Sequence, residues 1–117
     1  KIGYPRVRKC DVLVAMSQSA FDKSIGDLKE NGILIVDKGI VEKVPKVKAK
    51  VVEVPATKIA ESELKSRMYA NVVMLGALVK VTGVVSEKAC EQAIINSVSK
   101  ETREKNVSGF RKGFALI

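Results

Sequence analysis

Histidine and tryptophan are absent from this 117-residue chain, and only two cysteines occur, Cys10 and Cys90. Without histidine there is no Ser-His-Asp or Cys-His nucleophile system. A zinc site or an iron–sulfur cluster needs about four close ligands, largely Cys and His. Two cysteines far apart in the chain, with no C-x-x-C pattern, cannot build one alone, and each reads as a small buried hydrophobe. Three Phe and two Tyr leave few stacking platforms for single-stranded nucleic acid. No apolar run approaches the ~20 residues of a bilayer span. No signal-peptide pattern opens the chain, where Lys1, Arg6, Arg8 and Lys9 precede only the short run Val12 to Met16. A cytoplasmic protein with no membrane contact is expected. A glycine-rich phosphate turn is missing too: the first strand-to-helix turn reads Met16-Ser17-Gln18-Ser19, without glycine or a P-loop lysine.

What is present is a real core. Apolar residues make up 46% of the chain, enough for one compact domain over residues 1–117. Twenty-one Lys and Arg stand against 13 Asp and Glu, a formal charge of +8. That excess suits an acidic protein, an anionic cofactor or nucleic acid, or serves solubility alone. A basic nucleic-acid-binding α/β module is therefore an alternative reading, with Lys46, Lys48 and Lys50 as its focus.

The run Asp11 to Met16 is continuously apolar after its first residue and fits a strand covered on both faces. Ser19 with Asp22 fits a capping box opening a helix over 20–30, with Phe21, Ile25 and Leu28 inward and Asn31-Gly32 as its stop. Ile33 to Val36 is a second buried strand. Val47, Ala49 and Val51 alternate with lysines, which predicts a half-wet edge strand between Pro45 and Pro55. A short helix follows over 56–64, then one over 71–82 with almost no polar face, which belongs in a core or at an interface. Gly76 in its middle is explained by close approach of another backbone. Ser86 caps a helix whose stripe is Ala89, Ala93 and Ile94. A last charged helix over 100–112 is anchored by Val107 and Phe110. The order predicts an α/β fold: a three-layer α/β/α sandwich on a mostly parallel mixed sheet, with helices concentrated in the C-terminal half.

Few side chains suggest chemistry. Asp37 ends a buried strand, where a Rossmann fold places its ribose-binding acid, but no glycine fingerprint accompanies it and a strand-end turn explains it better. Glu61 with Glu63, and Glu101 with Glu104, read as solvated helix faces. Thr57 and Asn71 open helices and are expected to cap them. Met74, Leu75 and Leu78 on the apolar helix are candidate interface residues. No catalytic or metal-binding residue is assigned.

Four blocks in order then resemble a known family. They are Asp11-Val-Leu-Val-Ala-Met-Ser-Gln-Ser-Ala20-Phe-Asp-Lys23, Gly32-Ile-Leu-Ile-Val-Asp37, Pro55-Ala-Thr-Lys-Ile-Ala60 and Ala70-Asn-Val-Val-Met-Leu-Gly-Ala77. Together with Lys105-Asn106 through Phe110, and Gly113-Phe114, they resemble the gamma subunit of pyruvate, 2-oxoisovalerate and 2-oxoglutarate:ferredoxin oxidoreductases, over about the C-terminal two thirds of its domain. The resemblance implies a complex in which a 2-oxoacid is decarboxylated on thiamine diphosphate, electrons leave through iron–sulfur clusters to ferredoxin, and the acyl group passes to coenzyme A. Thiamine diphosphate, magnesium and the clusters are expected on alpha, beta and delta partner subunits, with this chain structural and binding no cofactor alone. The family's glycine-rich opening is not in this sequence, which begins with Lys1, so a missing N-terminal portion is expected.

Overall fold

The computed structural model describes residues 10–117. Strand β1 (Cys10–Ala15) leads through helix α1 (Gln18–Ser24) and a 3₁₀ turn (Ile25–Asp27) to strand β2 (Leu28–Asp37), and strand β3 (Lys50–Val54) follows. The sheet order is β1-β2-β3, and both pairings are parallel rather than mixed, because each connection crosses back over a face of the sheet. Helices α2 (Ala56–Glu63), α3 (Ala70–Thr82), α4 (Glu87–Ser97) and α5 (Lys100–Ala115) complete the chain. The three-layer α/β arrangement is as expected. None of the described helices is long and apolar enough to cross a membrane.

Pleating divides the strand side chains between two cores. Leu34 and Val36 join Ala15, Phe21 of α1 and Val41 on one face. Ile35 and Val54 join α2 and α3 on the other, where Ala60, Tyr69, Val73 and Met74 are buried. The connection from β2 to β3 carries no helix. Residues 38–49 instead form a strap over the α1 face, with Val41, Val44 and Val47 packed into that face's core.

Several boundaries differ from the sequence reading. Ser17, not Ser19, caps α1: its hydroxyl accepts from the Ala20 N–H at 3.1 Å. The first helix ends at Ser24, and Asn31-Gly32 is no helix stop but an irregular stretch of β2. Register jumps there, Cys10 pairing with Leu28 and Val12 with Ile33. A side chain on Gly32 would lie 2.7 Å from the Asp11 carbonyl oxygen, so the glycine serves close packing. The third strand starts at Lys50, leaving Lys46 and Lys48 on the strap, because Val44 and Val47 are drawn onto the α1 face instead of joining the ladder. On α4, Ala89 and Ala93 are exposed, and Cys90 and Ile94 face inward with Val98.

Helix α3 is the centre of the larger half. Its inward face lies on the sheet and α2; its other side meets α5 through glycine. A Cβ on Gly76 would collide with the backbone of Phe110 and stand 2.7 Å from the Phe114 nitrogen. A Cβ on Gly113 would collide with the Val73 carbonyl, and one on Gly109 would lie 2.8 Å from Val72 Cγ2. The close approach expected at Gly76 is thus observed, with a matching pair of glycines on the partner helix. Val107 and Phe110 anchor α5 as expected, helped by Phe114, over which Lys80 Nζ sits 4.8 Å from the ring centre. Cβ collision with backbone cannot be relieved by rotating a side chain. Gly113→Ala is therefore expected to cost about 3 kcal/mol or more in denaturant unfolding, whereas Gly26→Ala, with open space around it, should stay within about 0.5 kcal/mol.

Candidate functional site

In open α/β sheets, ligands enter at the carboxyl ends of the strands. Here that end is organised by Asp37, the last residue of β2, whose side chain is fully buried. Helix α2 begins after Pro55, which has no side-chain acceptor to offer the free N–H groups of the first turn. Asp37 supplies one from the neighbouring strand. Thr57 Oγ1 donates to Asp37 Oδ2 at 2.6 Å, and the Thr57 N–H donates to Oδ1 at 3.2 Å. The Asp37 backbone also works: its carbonyl accepts from Ile40 and Val41 at 3.1 and 3.0 Å, closing the strand-end turn. Gly39 takes φ +95° in that turn, a conformation an L side chain would strain. Lys38 N–H donates to the Val54 carbonyl at 2.9 Å, tying the turn to β3.

Above this latch lies a cleft of about 490 Å³ lined by Lys38, Gly39, Ile40, Thr57, Lys58 and Glu61. It adjoins one of about 820 Å³ that shares Lys38 and Lys58 and adds Glu53, Ile59, Glu63 and Leu116. The electropositive end of α2 is already met by the Asp37 carboxylate. What remains is two exposed lysines, the glutamates on the rim and Ser62, whose hydroxyl donates to the Lys58 carbonyl at 2.8 Å.

Thr57 therefore donates into the strand end instead of capping its own helix. Asn71 is exposed at the second position of α3, whose N-cap, Tyr69, makes no side-chain cap bond. Met74 lies in the core, and Leu75 and Leu78 are half-buried against neighbouring clusters. The sequence reading joined none of these to Asp37. The available signal was an acid ending a buried strand and a helix opening on proline. Among the described residues, no three His, Cys, Asp or Glu side chains converge to hold a metal.

A second groove, of about 540 Å³, runs along α5 between Ile95, Arg103, Val107, Arg111 and Ala115. Arg111 grips Glu91 of α4 with two bonds, Nε to Oε1 at 2.6 Å and Nη2 to Oε2 at 3.0 Å. The guanidinium's hydrogen bonds hold the Glu91 carboxyl below the usual carboxylate range. Burial pushes the Cys90 thiol up, which makes it a poor nucleophile.

The chain matches the family model described as pyruvate ferredoxin/flavodoxin oxidoreductase over residues 1–116. It is 45% identical to the 2-oxoglutarate synthase subunit KorC of Methanocaldococcus jannaschii, over 98% of this chain and 63% of that protein. It is 36% identical to the pyruvate/ketoisovalerate oxidoreductases common subunit gamma of Pyrococcus furiosus, over 89% of this chain and 60% of that one. The crystal structure of the keto/oxoacid ferredoxin oxidoreductase gamma subunit from Geobacter sulfurreducens superposes with a TM-score of 0.87 at 39% identity, covering 91% of this chain and 63% of that chain. The chain thus spans just under two thirds of the length of these relatives.

Two outcomes test the site's construction. Thr57→Val keeps the shape but leaves the buried Asp37 carboxylate short of a donor, and should cost about 1–3 kcal/mol by denaturant midpoint, with Thr57→Ser recovering most of it. Glu91 titrates lower in the folded chain than unfolded. Its pair with Arg111 is therefore fully stabilising above the unfolded glutamate value of about 4.3 and is lost as pH falls through the folded value. The stability gap between wild type and Glu91→Gln should be flat from neutral pH to about pH 5 and close in more acid solution.

Proposed function

The chain belongs to the pyruvate ferredoxin/flavodoxin oxidoreductase family, and from that membership we propose that it is the gamma-type part of a cytoplasmic 2-oxoacid:ferredoxin oxidoreductase, with a structural and assembly role. The observation that carries this reading is similarity to gamma-type subunits along almost the whole chain, in sequence and in fold. The substrate favoured is 2-oxoglutarate, because the relative at 45% identity is a 2-oxoglutarate synthase subunit, against 36% for the pyruvate/ketoisovalerate subunit.

In the proposed complex, thiamine diphosphate supplies the decarboxylation of the 2-oxoacid, iron–sulfur clusters carry electrons to ferredoxin, and coenzyme A accepts the acyl group. The residues of this chain do not fit the metal-bearing groups. It has no histidine, its cysteines are single, and no three acidic, Cys or His side chains converge among the described residues. In this proposal, thiamine diphosphate and the clusters are assigned to alpha-, beta- and delta-type partners. The cleft at the strand ends supports the same structural role: the opening of α2 there is met by Asp37 through Thr57. Nothing in the fold or the relatives favours the nucleic-acid reading.

Co-expression of the full-length protein with the products of its neighbouring genes tests this. A thiamine-binding subunit should co-purify, and the assembly should reduce ferredoxin with a 2-oxoacid and coenzyme A while the chain alone does not. A Lys38→Ala, Lys58→Ala assembly should keep turnover within about twofold; a loss beyond about tenfold, with assembly intact, would contradict the non-catalytic role.

A further inference from the structure

The strap from β2 to β3, with the first residue of β3, concentrates positive charge. Residues 38–50 hold Lys38, Lys43, Lys46, Lys48 and Lys50 against Glu42 alone. The preceding residues 10–37 lean the other way, with Lys23 and Lys29 against five carboxylates. Among the described residues only Lys48 of the five strap lysines has an ion pair, with Glu30 at 3.9 Å, and both side chains are largely exposed. A pair at that distance and exposure neutralises little.

The strap is also held in place. Val41, Val44 and Val47 turn inward at every third residue, and Lys43, Lys46 and Lys48 stay exposed between and after them. The amide of Gln18, at the start of α1, closes over its backbone. Gln18 Oε1 accepts from Glu42 and Lys43 N–H groups at 2.9 Å each, and Nε2 donates to the Lys43 carbonyl at 3.0 Å. One side chain thus satisfies three backbone groups that no helix or strand serves. A cationic ridge on an ordered backbone spares a partner the cost of ordering it. Pro45 within the strap and Val51 just after Lys50 are exposed as well, Val51 at 41%.

We propose that this strap, pinned by Gln18, is the docking surface for a carboxylate-rich face of a partner protein in the oxidoreductase assembly. The inference rests on the subunit reading above. Protein is favoured over nucleic acid because residues 38–50 contain no aromatic residue and no arginine, so base stacking and forked phosphate contacts are both lacking.

The test uses the co-expressed assembly. A carbodiimide, which joins an ammonium directly to a touching carboxylate, should cross-link Lys43 and Lys46 to Asp or Glu of a partner subunit. Lys43→Glu with Lys46→Glu should slow association by about tenfold or more and flatten its salt dependence. The melting temperature of the chain should not move, and Lys88→Glu on α4 should change neither association nor salt dependence. Assembly at the wild-type rate with no strap cross-links overturns the docking inference and leaves the subunit reading standing. Failure to assemble with any partner overturns both. Nucleic-acid binding abolished by the same double variant, with assembly unaffected, overturns the protein partner.

Discussion

Helix α3 has almost no polar face, and a helix of that kind has to be covered on every side. Much of the architecture follows from that requirement. The sheet and α2 take one side, where Val73, Met74 and Ala77 are buried with Ile35 and Val54. The other side has to be met by a helix that is itself mostly polar, since α5 offers little apolar surface beyond Val107, Phe110 and Phe114. Glycine solves this by letting the backbones touch: Gly76 faces Phe110 and Phe114, and Gly113 faces Val73. The gain is dispersion contact along the whole crossing, at the expense of about 1 kcal/mol of helix propensity per glycine. Surface pairs such as Lys112 with Glu63 at 2.8 Å add little beside it.

The opposite face of the sheet is covered differently. Parallel strands need a crossover of a dozen or more residues, usually a helix. Between β1 and β2 there is α1, one short helix anchored by Phe21. Between β2 and β3 there is only the strap. A strap without regular structure has backbone groups to satisfy, and Gln18 meets part of that need. So α1 serves twice, once through Phe21 in the core and once through Gln18 at its opening. The lysines remain outside while Val41, Val44 and Val47 take the places in the core of that face.

The elements readable in the sequence were those set by local pattern. The apolar run of β1, the segment Ile33 to Val36 and the helices after Pro55 depend on apolar periodicity, and they stand where expected, although of those helices only α4 has a side-chain cap. Gly76 could be read as a close approach because an otherwise uniform apolar helix makes a glycine conspicuous. What local pattern could not give were relations across distance. Val47 and Ala49 alternate with lysine as a strand would, yet Val44 and Val47 find a better site on the α1 face, and the ladder starts at Lys50. Asn31-Gly32 looks like a helix stop, but Gly32 answers to Asp11 in the neighbouring strand. Thr57 reads as a cap until Asp37, twenty residues earlier, is seen beneath it.

The same distinction bears on function. Sequence alone limits the chemistry, because a chain without histidine and with two separate cysteines lacks the usual donors for metal and nucleophilic catalysis. Structure shows what meets the helix opening at the usual ligand position. At the carboxyl ends of the strands, the anion that meets the positive end of α2 is the protein's own Asp37, held by a 2.6 Å bond from Thr57. That interaction locks β2 to the β3–α2 junction, and thereby fixes the turn at Gly39 from which the strap departs. Beyond it, residues 38–50 set five exposed lysines against Glu42 alone, a net +4 within the chain's +8.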